Sequence, residues 1–289
     1  MSGLLAAGPR HSLVCLGDGR VGAVGADQSG ECEVSGWRDV VAVAAGNVHR
    51  ARNTGRSHSL GLRGDGTVLA TGWDASGQCA VESWRDLVEV AAGWRFSVGA
   101  TRSGRVVGTG RGAEGQLDVQ GWREAVGVSC GDWHTVGVRA DGSVVATGAN
   151  ARGQCAVDAW RGVTSTAAGY LHTLGLTESG RVLAAGDRTA SAGVEEWEAV
   201  TTLAAGSHHS VGLTDRGRVL VAGRAPHGPP GWRGVITVAA GAAHTLALRA
   251  DGTLLAAGAH DHGQCDLLVG VLPAGTDRED RSHRRRPRP

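Results

Sequence analysis

The chain has 289 residues, 48 of them Gly and only 7 Pro, with 29 basic against 28 acidic side chains and a formal net charge of +1. Every one of those basic residues is Arg, which excludes Schiff-base chemistry, a lysine general base and the lysine of a Walker A loop, and the Gly content follows no G-X-Y period, which excludes collagen. No run approaches the length of a membrane-spanning helix, residues 1–8 do not read as a signal peptide, and six Cys without a CxxC pair point to a reducing, cytoplasmic setting.

Taken in chain order, the sequence repeats itself. Ala-Ala-Gly or a close variant ends at Gly8, Gly46, Gly93, Gly131, Gly169, Gly206 and Gly241, at spacings of 38, 47, 38, 38, 37 and 35. The long spacing carries a nine-residue insertion within residues 47–57. Each repeat starts with a short apolar, β-prone segment. Two variable residues and a His follow, then a stretch that alternates with period two, as in His244-Thr-Leu246-Ala-Leu248. A turn built on Gly comes next, at Gly19, Gly66, Gly104, Gly142, Gly180, Gly217 and Gly252, because Gly takes φ > 0 without steric cost. A third strand and a polar loop, often ending in Gly-Gln-Cys, complete the repeat.

The middle strand is apolar on one face and nearly bare on the other, with Gly61, Gly99, Gly137, Gly175 and Gly212 between its two core positions. Such a small sheet cannot bury both faces alone, whereas seven stacked in a closed ring can. The reading is therefore all-β: a seven-bladed β-propeller of ~38-residue repeats over residues 1–275, followed by a disordered Arg-rich tail over residues 276–289. Residues 267–272 are expected to pair with blade 1 as a clasp.

The pattern Ala-Ala-Gly-x-x-His-Thr/Ser-Leu, then Asp-Gly, then Gly-Gln, resembles the regulator of chromosome condensation repeat. The short period is similar to that of bacterial members of that family, among them a secreted propeller that inhibits a β-lactamase. The resemblance implies a seven-bladed propeller over roughly residues 4–270. It also implies, as one function, inhibition of a β-lactamase or related cell-wall enzyme.

Repeated residues read as structure. His11, His58, His134, His172, His209 and His244, with Phe96 in the third repeat, are expected to make a hydrogen bond inside each blade. Equivalent positions on neighbouring blades stand too far apart to share a metal. Cys32, Cys79, Cys155 and Cys265 alternate with Leu117 at one position and behave as small hydrophobes. Trp37, Trp84, Trp122, Trp160, Trp197 and Trp232 are expected to cover seams between sheets.

Function is sought where the copies disagree. The variable turn between Gly and His carries Trp94, Arg95, Asp132, Trp133, Tyr170 and His208, and the insertion carries Arg50, Arg52 and Arg56. Equivalent turns share one rim, and Trp, Tyr and Arg are the anchors of protein interfaces. The leading expectation is a non-catalytic module that presents this aromatic and arginine face to another protein. It needs no cofactor, no membrane, and no nucleic acid except through the tail. The alternative is an enzyme or small-ligand propeller using the loops after the third strand, placed on the opposite rim, where His227, His260 and His262 are weak candidates for a metal. No Gly-x-Ser-x-Gly elbow or His-Glu-x-x-His occurs, so catalysis is the lesser expectation.

Overall fold

Three short strands, two Gly turns and a bare middle face dictate a sheet that must be covered on both sides. A computed structural model, which describes residues 3–46, 55–224 and 231–266, shows seven such sheets, each three-stranded and antiparallel in the order inner, middle, outer. The middle strands of blades 1 to 7 are His11–Cys15, His58–Arg63, Phe96–Thr101, His134–Arg139, His172–Thr177, His209–Thr214 and His244–Arg249. The chain is thus a seven-bladed β-propeller. One 3-10 turn, Val194–Glu196, is the only helical element among the described residues. The tail, the clasp segment, Arg50, Arg52 and His227 lie outside the described residues.

The core lies between the blades. Seven apolar clusters form, one per seam. Phe96, Val98 and Val106 of blade 3 pack on Trp122, Ala125 and Val128 at the entry to and inner strand of blade 4, and Leu246 and Leu248 of blade 7 meet Leu5, Ala7 and Val14 of blade 1. That last cluster closes the ring. The bare middle of five of the seven sheets has a steric reason. A Cβ at Gly137 would stand 2.6 Å from the Trp122 ring, so the indole lies against naked backbone, and Trp122 is buried in the seam. The Cys side chains of the loop position hydrogen-bond backbone carbonyls, Cys32 to Ala26 and Cys265 to Ala259. Burial pushes the Cys32 and Cys79 thiols up to about 12, so they are inert rather than nucleophilic.

The histidines correct one expectation. Their bonds run between blades, not inside them. Nε2 of His11, His58, His134, His172, His209 and His244 meets the hydroxyl of Ser59, Ser97, Thr173, Ser210, Thr245 and Ser12 in the following blade, at 2.9–3.1 Å. Among the described residues, five of these hydroxyls also bond a loop carbonyl of the preceding blade, as Ser97 does to Gln78 at 2.8 Å; the loop opposite Thr245 lies outside the described residues. A hydroxyl has one proton. Since the carbonyl takes it, the histidine must donate from Nε2. The reason for the inter-blade direction is reach: the ring leaves its own sheet at the strand start, over the Gly of its turn, where a Cβ on Gly46 would overlap it.

A second correction concerns the rims. His58 pairs with Gly72, and Phe96 with Gly110. The third strand therefore ends beside the start of the second. The residue after it bonds back to the variable turn: Trp73 N to Ser57 O at 2.7 Å, Arg111 N to Arg95 O at 2.8 Å and Ala259 N to Ala243 O at 2.7 Å. The loops after the third strand share the rim of the variable turns. The Gly hairpins that join strands two and three occupy the other rim, with the lead-in to the next inner strand beside them, as Leu87 N bonds Gly66 O at 3.0 Å.

Candidate functional site on the turn rim

The variable turns stand between inner and middle strands, and their apolar members form one run. Trp94 of blade 3 meets Trp133 of blade 4 at 6.0 Å between centroids and 88° between planes. Trp133 meets Tyr170 of blade 5 at 5.3 Å and 61°, and Tyr170 meets His208 of blade 6 at 5.7 Å and 87°. These are the edge-to-face geometries that aromatic quadrupoles favour. The sequence explains the interdigitation. The ring occupies the first turn position in blades 3 and 5 and the second in blades 4 and 6, so neighbours are offset rather than stacked. Backbone bonds cross the seams beneath two of these rings, Trp94 N to Asp132 O and Tyr170 N to Gly206 O, both at 3.3 Å.

At the blade 3 end the run becomes cationic. The Arg95 guanidinium carbon lies 4.4 Å from the Trp73 ring and 4.2 Å from the Trp94 ring, within cation–π range of both. Arg111 sits 5.5 Å from the same Trp94 ring and is paired with Glu114 at 2.5 Å. Burial, and then the neighbouring Arg111, pull the Arg95 pKa below the ordinary guanidinium value. Arg95 also has φ of 65°, a region that a non-Gly residue enters at a cost. No other variable turn residue among those described does so.

Of the residues expected on this face, Trp94, Arg95, Trp133, Tyr170 and His208 are brought into one contiguous set. Arg56 is exposed next to Ser57, whose carbonyl holds Trp73. Asp132 is a correction: its side chain is 0% exposed, tucked under the turn, so it is not presented to a binding protein. Its charge acts on Tyr170 instead. Burial first, and then Asp132, raise the Tyr170 phenol above its usual value.

Sequence reading misses Trp73 and Arg111. The signal that finds them is parity: a third strand must return to the rim on which the first ended.

His260 and His262 also lie on the turn rim. His260 Nε2 pairs with Asp266 at 3.2 Å, and the His262 amide donates to the Gln264 side chain. Among the described residues no group of three or more His, Cys, Asp or Glu is placed to hold a metal ion. The inner strands line an axial cavity of about 370 Å³, mostly of Ala, Gly, Ser and Thr.

Comparison with known proteins follows the same lines. A family model described as the regulator of chromosome condensation (RCC1) repeat matches residues 87–116, 125–154, 163–189, 200–228 and 235–264. No curated protein matches in sequence. Among solved structures, the ectodomain of the receptor kinase CR4 from Physcomitrella patens is similar at TM-score 0.73 and 16% identity, over 89% of this chain and 73% of that one. Prp20p from Saccharomyces cerevisiae is similar at 0.64 and 18%, over 88% and 81%. Human WBSCR16 is similar at 0.64 and 19%, over 85% and 86%. At these identities the likeness is one of fold.

Proposed function

This chain belongs to the RCC1 repeat family, and on that premise we propose that it is a non-catalytic module that binds another protein through the turn rim. The observation that carries the reading is the unbroken run of Trp94, Trp133, Tyr170 and His208 across four blades, ending in Arg95 between two indoles. Aromatic rings anchored by their neighbours lose little entropy on binding, and Trp, Tyr and Arg dominate the energetics of interfaces. Structures of a related propeller support a protein partner in general: yeast Prp20 was solved bound to Kap60, and Prp20p was studied for binding to Gsp1p and histones.

A narrower partner class, a β-lactamase or related cell-wall enzyme, rests only on the ~38-residue period that resembles bacterial members. The six free Cys fit a reducing compartment better than an oxidising one, which favours a cytoplasmic partner.

The test is affinity capture by the full chain against Trp94→Ala/Trp133→Ala, with circular dichroism to confirm that both fold. The expected result is loss of specific partners from the double variant. Equal recovery of every partner removes this rim from consideration.

A further inference from the structure

The cluster around Trp94 is not charge-balanced. Arg111 is held by Glu114 in a fork, Nη2 to Oε1 at 2.5 Å and Nε to Oε2 at 3.2 Å. Glu114 also accepts from the buried Gln116 at 3.0 Å. Both of its oxygens are thus engaged within their own loop. Arg95 contacts two indoles and no carboxylate among the described residues, and its Nε is shut off from solvent, so a partner's carboxylate reaches the guanidinium through the two terminal nitrogens. Indole faces stabilise a cation but accept none of its N–H bonds. The left-handed backbone at Arg95 is a second, independent observation. Asp39, Asp86, Glu124 and Ala199 take the same backbone at a recurring lead-in position, whereas Arg95 alone does so among the described variable turns, which marks its side chain's placement as the thing retained.

Resting on the reading of the rim as a protein-binding face, we propose that Arg95 is the seat for a single carboxylate of the partner, carried on a peptide segment whose neighbouring large apolar side chain packs on Trp133 and Tyr170. A planar guanidinium is built to take a carboxylate with two parallel bonds. Charge decides between carboxylate and phosphate. Arg95, Arg111 and Glu114 together leave one positive charge in excess, which one carboxylate neutralises. A phosphate carries ≈ −1.5 to −2 at neutral pH and would meet the fixed Glu114 anion uncompensated. Geometry sets the motif's spacing. The guanidinium is 4.2 Å from Trp94, which is 6.0 Å from Trp133, so the seat lies within about 10 Å of the apolar ground, no more than three extended residues.

The experiment is selection of a displayed random dodecapeptide library on the full chain. Binding of one selected peptide is then measured with wild type, Arg95→Gln, Arg95→Lys and Trp133→Ala, each checked by circular dichroism to be fully folded at the assay temperature. The expected result is enrichment of Asp or Glu within three residues of Trp, Phe, Tyr or Leu, with affinity falling tenfold or more for Arg95→Gln and little recovered by Arg95→Lys, which keeps the charge but not the fork. Replacing the acidic residue by phosphoserine should weaken the peptide.

A selection without an acidic consensus, an empty selection included, overturns the seat, as does a consensus that binds better when phosphorylated or binds Arg95→Gln as well as wild type. Trp133→Ala separates the two readings. Loss of partners with Trp133→Ala but not with Arg95→Gln leaves the rim standing and removes the seat, whereas neutrality of both removes the rim as well.

Discussion

Blade 3 and the other six blades solve the same packing problem differently. In six blades a His reaches across the seam to a Ser or Thr of the next blade. In blade 3 that position is Phe96, 0% exposed, and Thr135 across the seam bonds the Gln116 carbonyl with no histidine opposite it. The turn directly above Phe96 is Trp94-Arg95, the one that carries the left-handed residue and both indole contacts. Where the repeat is kept, the residues between Gly and His are free to vary because the seam below is tied. Where the tie is lost, Trp94 on Trp133 bridges the seam, as Trp133 on Tyr170 and Tyr170 on His208 do over seams that keep their tie. Stability is thus assigned to the recurring layer and recognition to the variable one, and blade 3 is where the recurring layer departs from its pattern beneath the cationic end of the rim.

The comparison breaks most completely in acid. Burial, the leading cause in every case, holds His11, His172 and His244 down to about 3 and His58, His134 and His209 down to about 4. In the unfolded chain these groups titrate near 6.5. The folded state therefore binds fewer protons below that pH, so stability is complete above pH 6.5 and is lost as pH falls from there toward the folded values. Each tenfold loss of proton affinity on folding is worth about 1.4 kcal/mol. Six such groups acting together exceed the 5–15 kcal/mol that holds an ordinary domain. Cooperative unfolding is expected between about pH 5.5 and 4, followed by circular dichroism; a chain still folded at pH 3.5 would refute the shared-burial account.

His172→Phe sharpens the point by making blade 5 like blade 3. At pH 7.5 the variant should lie within about 1 kcal/mol of wild type, since a lost hydrogen bond of roughly that size is offset by apolar burial. At pH 5 it should be more stable than wild type by about 2 kcal/mol, because one suppressed titration is gone. Denaturant melts at the two pH values check the change of sign.

How these layers read from sequence follows from what each kind of signal can encode. Repetition of Gly at the turns and of Leu or Val on the middle strands specifies sheets that need partners, so seven stacked blades are legible. The partner of each His is not, because it lies in another copy of the repeat, about 36 to 48 residues away for five of the six bonds. The His260 loop falls on the wrong rim unless strand reversals are counted. Asp132 reads as exposed because it varies, yet variation only shows that the repeat does not require a residue. Which of two adjacent turn residues points outward depends on the local backbone, and the alternation of first and second positions that brings Trp94, Trp133, Tyr170 and His208 together is visible only with the blades side by side.

A smaller effect tests the cationic end of the rim, where blade 2 meets blade 3. Trp73→Ala and Arg95→Gln each remove one side of a cation–π contact, and a double-mutant cycle of thermal or urea stability should give a coupling of about 0.5–1 kcal/mol. A coupling near zero means that the indole and the guanidinium are merely adjacent. Arg95 would then be held in its left-handed conformation by the turn alone.

The smallest expected change is the most informative about why blade 3 differs. Phe96→His would restore the repeat. The pocket suits it, because the Phe96 ring lies over Gly93 as the His134 ring lies over Gly131, each where a Cβ on the glycine would overlap it. Thr135 stands at the position that Thr173 and Ser97 occupy opposite their histidines. Its proton already goes to the Gln116 carbonyl at 2.7 Å, which leaves its oxygen to accept from Nε2. The new bond contributes about 1 kcal/mol, and exchanging a fully buried phenyl for an imidazole costs about the same. At neutral pH the variant should match wild type within about 1 kcal/mol, and its acid transition should move to higher pH, since a seventh buried imidazole now resists protonation. Unchanged partner binding in this variant would show that Phe96 is not itself part of the interface. A gain of about 2 kcal/mol or more, twice what one hydrogen bond ordinarily supplies, would mean that wild type gives up stability at this seam, which assigns Phe96 to the working of the rim above it.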